Sequence, residues 1–559
     1  MAPVAVSSRV LAACGITLLG LSPLTALAAP AALAKPATVW TGGAPLPAAK
    51  GVGLHRNQDG EPGMGVSPAG QYWIASDIAP YAADDPRVAG GLLSGADIWT
   101  STNGGRTYRW VSDPFGVSNG QAGLAGEDTD LAVAPQKNSK GFYNVYAASL
   151  WVGSSSLASS QDGGKTWSVN PLGGLPTQDR PWLAADGPCT VYVVYHQLPL
   201  FTPVLSSYDV CTNGGVVPVS NGAALDPVHE TTLTSSDFPG LSNSFNKQTV
   251  DAARSSKFRH NIYIPMSLCQ VTQFPDLVTN AAAPSGCPKG TQYLVAVSTD
   301  RGLTFSYHKV ALDKTGATLV WAATVATDAT GTVYFTWSDN KNSYLDVSSD
   351  GGKRWSAPKK LNAPGTAAVY PTVAGGRPGR VDVGWYGANR TGDSNDVKKM
   401  GKPSTRGSAQ WAVYLARSTD HGRSFTTRKV TGTIHLGELC THGSGCGDTN
   451  SRNLLDDFGV AISPTTGRDS ITYTADRPDG TAGHAFTGFT TELARPTHKP
   501  TSSGHPGSHE GAEGSAGSGG GLAGTGLPPL IATGGVGLLA AGLVLRRRAA
   551  DAHEEVESP

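Results

Sequence analysis

Carboxylates, arginines and one tyrosine recur at two kinds of position along this 559-residue chain. The first kind opens a strand-like segment: Glu61 in "EPGMGV", Glu127 and Asp128 in "EDTDLAV", Asp179 and Arg180 in "DRPWLAA", Tyr370 in "YPTVAG", Asp456 and Asp457 in "DDFGVAI". The second kind follows the next such segment: Asp77, Asp339, Arg390, and Asp476 with Arg477. An arginine fork grips a carboxylate through two parallel hydrogen bonds. A protonated carboxyl can hand its proton to the leaving oxygen of a glycosidic bond. Gathered on one face, these residues would suit binding and cleavage of an acidic sugar. Two plainer readings stand beside that one: each Asp-Arg pair fixes a local junction, or the oxygens hold a structural Ca²⁺. No Gly-x-Ser-x-Gly elbow or His-Glu-x-x-His stands in a context that would supply a serine or zinc hydrolase.

The elements that must position these residues are repetitive. "STNGGRTY" from Ser101 returns as "SQDGGKTW" from Ser160, "STDRGLTF" from Ser298, "SSDGGKRW" from Ser348 and "STDHGRSF" from Ser418, with a worn copy, "VCTNGG", ending at Gly215. At Asn103, Asp162, Asp300, Asp350 and Asp420 the side chain is placed to accept from backbone N–H groups two residues on, and the glycine that follows accepts positive φ. The closing aromatic re-enters a strand and packs inward. Between copies a strand–turn–strand pattern recurs, beginning near Glu61, Glu127, Asp179, Lys247, Trp321, Tyr370 and Asp456. One unit is therefore strand A, turn, strand B, loop, strand C, repeated turn, strand D. About 65 residues per unit suits the four-stranded antiparallel blade of a β-propeller. Seven blades are favoured, or six if one unit is an insertion. The last unit lacks the repeated turn, and "ATVWTGG" around Trp40 is placed to complete its sheet and close the ring. This strand order sends the repeated turns to one end. The D–A junctions and B–C loops, with all the candidate residues, share the other.

The repeated octet is the Asp box, and over 37–493 the chain resembles the sialidase-type (BNR repeat) β-propeller superfamily. The resemblance implies an exo-α-sialidase-like glycoside hydrolase that binds or hydrolyses extracellular glycans and requires no cofactor. Sialidases use an arginine triad, an aspartate acid/base and a tyrosine nucleophile activated by glutamate. Carried onto this chain by position, that implies Arg180, Arg390 and Arg477 for substrate binding and Tyr370, Asp179 and Glu61 for catalysis. The Arg-Ile-Pro or Arg-Leu-Pro motif that precedes the first Asp box in sialidases is missing; "LHRN" at Arg56 stands nearest. Asp boxes also occur in non-catalytic propellers, so a lectin-like or protein-binding propeller is the alternative.

Lysine plus arginine equals aspartate plus glutamate, 43 each, and 15% of residues are charged, which argues against a polyanion such as nucleic acid as partner. Arg9, an apolar run and small residues at Ala26 and Ala28 read as a signal peptide over 1–28, with cleavage at 34 also open. Its removal takes Cys14 and leaves six of seven cysteines, an even number that favours disulfides in an exported chain. Neighbours in sequence pair Cys189 with Cys211, Cys269 with Cys287 and Cys440 with Cys446. A disordered Pro/Ser/Gly/His linker is expected over 494–521. "LAGTG", with Leu522, Thr525 and Gly526, precedes an apolar stretch over 527–545, then Arg546–Arg548 and a polar tail over 549–559. It resembles a sortase cell-wall sorting signal of the variant known from high-GC Gram-positive bacteria. That implies sortase as processing enzyme and a chain displayed on the wall, or on the outer face of the membrane through a transmembrane span at 527–545. A monomer is expected.

Overall fold

The computed structural model describes residues 38–494 apart from 55–56, 79–94, 117–125, 152–153, 173–177, 198–201, 213–216, 226–240, 271–289, 316–322, 442–445, 447–449, 455 and 477–484. The signal segment, the linker and the sorting signal therefore lie outside the described residues, as do Arg56 and Arg477. What is described is a ring of seven antiparallel sheets, each built from four main strands. Blade 1 runs Asp59–Val66, Tyr72–Ile78, Ala96–Ser101 and Arg109–Ser112 as strands A to D. Blade 2 runs Glu127–Lys137, Tyr143–Trp151, Ser154–Ser160 and Ser168–Pro171. Blade 3 runs Gln178–Asp186, Thr190–Gln197, Thr202–Asp209 and Val217–Ala224. In blade 4 strand A is split into Leu241–Phe245 and Thr249–Val250, before Ile262–Gln270, Thr291–Ser298 and Ser306–Asp313. Blade 5 runs Thr324–Thr327, Val333–Ser338, Ser343–Ser348 and Lys359–Lys360. Blade 6 runs Ala367–Gly375, Val381–Ala388, Gln410–Ser418 and Thr426–Lys429.

Blade 7 takes its first three strands, Gly459–Ile462, Asp469–Ala475 and Phe486–Ala494, from the end of the ring and its fourth, Thr38–Trp40, from the beginning. Thr38, Val39 and Trp40 pair with Ala494, Leu493 and Glu492. The expected closure is thus observed. It is reinforced where the Thr38 hydroxyl donates to Glu492 at 2.5 Å and Arg417 of blade 6 bridges Glu492 and Asp469 of blade 7.

Strands B and C carry β-branched and aromatic residues on both faces because both faces are covered by neighbouring blades. The apolar side chains accordingly separate into seven clusters, one at each blade interface: Trp73 meets Leu131 between blades 1 and 2, and Phe489 meets Tyr72 between blades 7 and 1. The outer D strands of blades 5 and 6 are exposed and polar, which discourages edge-to-edge pairing with other chains. Around the axis the A strands crowd each other. A Cβ on Gly63 would lie 2.7 Å from the Leu131 nitrogen, so only glycine fits there. All seven A strands together line a central cavity of 240 Å³.

The repeated turns join C to D, as the strand order requires. In each full copy the leading serine hydroxyl donates to the Asp or Asn and accepts from the fifth-residue glycine N–H, as Ser160 does with Asp162 at 2.9 Å and Gly164 at 2.8 Å. The Asp or Asn side chain reaches further than the expected two residues. It accepts from the N–H four residues on in all five copies, at 2.9 to 3.2 Å. The fifth-position glycine also abuts the preceding blade: a Cβ on Gly164 would lie 2.8 Å from the Trp73 ring.

The worn copy in blade 3 is replaced by a covalent tie. The Cys189–Cys211 disulfide links the A–B turn to the end of strand C. Cys440–Cys446 also forms, and the Cys269–Cys287 pairing lies outside the described residues. The transmembrane expectation requires correction. Among the described residues no helix is long and apolar enough to cross a membrane, and the stretch on which it was placed, 527–545, lies outside them.

Candidate functional site

Each of four A strands carries one extra residue near its upper end. Register slips between Gly60 and Gly63, Glu127 and Asp130, Asp179 and Trp182, and Val369 and Thr372. Inside each bulge one non-glycine residue adopts left-handed φ: Glu61 at 47°, Asp128 at 43°, Arg180 at 57° and Tyr370 at 52°. A bulge re-aims a side chain out of the alternating pleat, and strained backbone of this sort collects at functional sites. Proline follows three of the four, in Glu61-Pro62, Arg180-Pro181 and Tyr370-Pro371.

The four bulged residues meet around Asp456, which precedes strand A of blade 7. Arg180 lies 3.5 Å from Asp128, 3.4 Å from Asp456 and 3.3 Å from Asp457. Its guanidinium also sits 5.6 Å above the Trp182 ring. The Tyr370 hydroxyl donates to Asp456 Oδ1 at 3.3 Å, and Glu61 accepts from the Asp456 backbone N–H at 3.2 Å. Arg452, four residues before Asp456 in a short 3₁₀ turn at Asn450–Arg452, reaches its carboxylate at 2.8 Å. Asn246 of blade 4 donates to Asp457 at 3.0 Å. Beside the cluster Lys247 pairs with Asp130 at 2.5 Å, and Asp130 also accepts from the Leu183 N–H.

Crowding and charge push these groups apart electrostatically. Burial, then Asp128 and Asp456, raise the Glu61 carboxyl well above its ordinary range. Burial opposes ionisation of Asp456 too, but Arg452 and Arg180 outweigh it and hold that carboxylate below the usual aspartate range. Burial lifts Asp457 to about 7 against the pull of Arg180. Burial and the Asp456 charge keep the Tyr370 phenol protonated, well above its ordinary value. A carboxylate held ionised beside a carboxyl that keeps its proton near neutrality is the arrangement acid–base chemistry uses.

The segment that supplies Arg452 and Asp456 is braced from behind. Asn453 donates to Asp476 Oδ2 at 3.1 Å, and that oxygen faces Nδ1 of fully buried His435 at 2.6 Å. Nε2 of His435 donates to the Glu438 carbonyl at 2.9 Å. With acceptors at both ring nitrogens the imidazole carries both protons. Burial disfavours that charge, yet Asp476 prevails and the pKa is raised.

The structure brings Glu61, Arg180 and Tyr370 together. Asp179 pairs its backbone with His196, and its side chain is outside the described residues. Arg390 is elsewhere: exposed in the B–C loop of blade 6, it donates to the carbonyls of Lys399, at 3.3 Å, and Gly407. Arg477 is not among the described residues. Sequence reasoning missed Arg452 and Asn246. Arg452 lies between the Cys440–Cys446 pair and the Asp456 segment, in a stretch without a motif, and its one signal was the four-residue spacing to Asp456. Among the described residues no group of three or more His, Cys, Asp or Glu side chains is arranged to hold a metal ion. In this cluster Arg180 and Arg452 stand among the carboxylates, where a cation would have to be.

No protein family matches the sequence, and no curated protein is similar to it. Among solved structures the chain is similar to a protein of unknown function from Dyadobacter fermentans, at 14% identity over 82% of this chain and 100% of that one, with a TM-score of 0.37. It is similar to an α-L-arabinofuranosidase from Fusarium graminearum at 12% identity, over 63% and 92% of the two chains, with a TM-score of 0.38. It is also similar to the intramolecular trans-sialidase of Ruminococcus gnavus at 11% identity, over 78% and 94%, with a TM-score of 0.32.

Proposed function

We propose that this chain is exported, attached to the cell wall through Thr525 of "LAGTG", and acts there on extracellular glycans as a glycoside hydrolase of sialidase type. The observation that carries the reading is the pairing of the Tyr370 hydroxyl with ionised Asp456 beside Asp457, a carboxyl whose pKa is about 7. In the proposed reaction the Tyr370 oxygen attacks the anomeric carbon while its proton passes to Asp456. Asp457 protonates the departing oxygen, and then, as a carboxylate, takes a proton from the water that attacks the anomeric carbon. The bond from that carbon to Tyr370 breaks, and Asp456 returns its proton to the phenolate oxygen. Glu61 positions Asp456 by accepting its backbone N–H. Arg180 and Arg452 fix the Asp456 carboxylate and offer charge to an anionic substituent.

A second reading, glycan binding without turnover, is favoured by one observation. The phenol of Tyr370 is pushed up while Asp456 is pushed down, so proton transfer between them runs uphill. Fluorogenic glycosides, sialosides first, tested on the purified full chain and its Tyr370→Phe variant decide between the two. Turnover that disappears in the variant supports the enzyme. Saturable glycan binding with no turnover in either protein supports the binding module. Neither turnover nor binding across a panel of neutral and anionic glycans would overturn both. Wall attachment is tested by mass spectrometry of wall fragments: residues after Gly526 recovered on the mature protein would exclude sortase processing.

A further inference from the structure

The central cavity adjoins the cluster, because Asp457 lines it, but the rest of its wall takes no part in the reaction proposed above. Its walls are the seven A strands, and its volume of 240 Å³ far exceeds the ~30 Å³ share of one water molecule in the liquid. The charged groups that reach it are already paired: Lys247 with Asp130, and Asp457 with Arg180 and Asn246. Two uncharged polar atoms are not. The indole N–H of Trp182 and the side-chain oxygen of Gln248 are buried without a hydrogen-bond partner among the described residues. Both residues line the cavity, at 3% and 2% exposure. The Gln248 amide is fixed in orientation, because its nitrogen donates to the carbonyls of Trp182 at 3.2 Å and Tyr192 at 2.9 Å. That turns its oxygen away from blade 3. A buried polar atom without a partner costs free energy in a native fold, so a donor and an acceptor left together on one cavity wall point to a ligand.

We propose that this cavity binds a small, uncharged, polyhydroxylated molecule of monosaccharide size. Hydroxyls are the complementary groups because each can accept, as the indole N–H requires, or donate, as the amide oxygen requires. A charged ligand would find no free counter-charge along these walls among the described residues. The proposal rests on Trp182 and Gln248 and not on catalysis: Tyr370 and Asp456 do not line the cavity, and Asp457, which does, is already paired with Arg180 and Asn246.

The test is titration of the ¹⁵N-labelled full chain with D-galactose, D-glucose and glycerol, followed by NMR of the indole N–H resonances. At least one probe is expected to shift the Trp182 resonance saturably, that resonance being assigned by its loss in Trp182→Phe. Gln248→Met should weaken the same binding about fivefold, the value of one hydrogen bond. Tyr370→Phe should leave it unchanged while abolishing any glycoside turnover, so the cavity and the cluster fail or stand separately. A Trp182 resonance unmoved by all three probes up to their solubility limits means ordered water alone satisfies these atoms and overturns the proposal. So does binding that Trp182→Phe and Gln248→Met both leave at full strength. Should Gln248→Met not fold, the wild-type titration still decides.

Discussion

The two ends of this propeller use the same side chain for opposite ends. At the lower end Asp162, Asp300, Asp350 and Asp420 each close a turn within eight residues, bonded to their own backbone. At the upper end Asp456 is held by residues 276 and 4 positions away, from blade 3 and from a 3₁₀ turn. The lower carboxylates are only half-buried and ionise easily: the Ser424 hydroxyl and N–H hold Asp420 below the ordinary range. The upper ones are crowded, so Glu61 and Asp457 retain protons that the turn aspartates give up. A turn repeated five times can only carry shape, because a site needs its residues to differ. The upper face gains its chemistry from being different in every blade.

The sharpest way to break this contrast is Asp456→Ala. Removing that carboxylate leaves Arg180 and Arg452 under-compensated, so turnover should fall on the order of 10³-fold and stability by about 4 kcal/mol. Glycoside kinetics and urea unfolding check the two numbers. An unchanged rate would show that the cluster is structural only.

The ends should also respond to pH with opposite sign. Asp457, raised in the folded state to about 7, contributes stability that is fully present below the unfolded value near ~3.9 and lost as pH rises towards about 7. The raised His435 loses its contribution in the same direction, as pH climbs through its folded value. Asp162 and Asp300 are lowered, because bonds from Thr166 and Thr304 outweigh burial, so their contribution is lost as pH falls. Turnover that depends on protonated Asp457 should decline about tenfold per pH unit above about 7. A pH–rate profile, with urea-unfolding midpoints compared at about pH 2.5, 5 and 9, tests both signs. A flat profile across neutrality would remove Asp457 from the mechanism.

Gly164→Ala probes the lower end. Its φ of 76–84° neighbourhood is set by two successive glycines, Gly163 and Gly164, and the new Cβ would strike Trp73 of the preceding blade. A loss of about 3 kcal/mol is expected, with ligand affinity at the upper face unchanged. Asp162→Ala, which deletes hydrogen bonds within one exposed turn, should cost only about 1 kcal/mol and likewise spare binding. Calorimetry beside a glycan-binding isotherm separates stability from affinity in both variants. A fall in affinity without a fall in melting temperature would mean that the two ends are coupled.

Most of the ring was legible in advance. The octets placed five C–D turns, the seven strand–turn–strand segments counted the blades, and Trp40 was recognised in the closing strand, because hairpins and strands are written in residues close in sequence. Glu61, Arg180 and Tyr370 were also legible, as polar residues opening A strands, three of them before proline. What local pattern could not supply was distance across the ring. Arg390 occupies a position equivalent in strand order to residues near the site, yet its long loop lets it fold back on Lys399 and Gly407. Arg452 belongs to no repeated segment, and a 3₁₀ turn delivers it to Asp456.

The sequence by itself determined the blade, its turn chemistry and the face on which polar residues would collect. Those follow from bonds spanning a few residues and from an alternation of period two. Only the tertiary structure decided which of those residues meet, that bulges with left-handed φ turn four of them together, and which carboxyls keep their protons. The reason is that charge interactions depend on separation and burial, and both are set when blade 7 closes on blade 1, not by spacing along the chain.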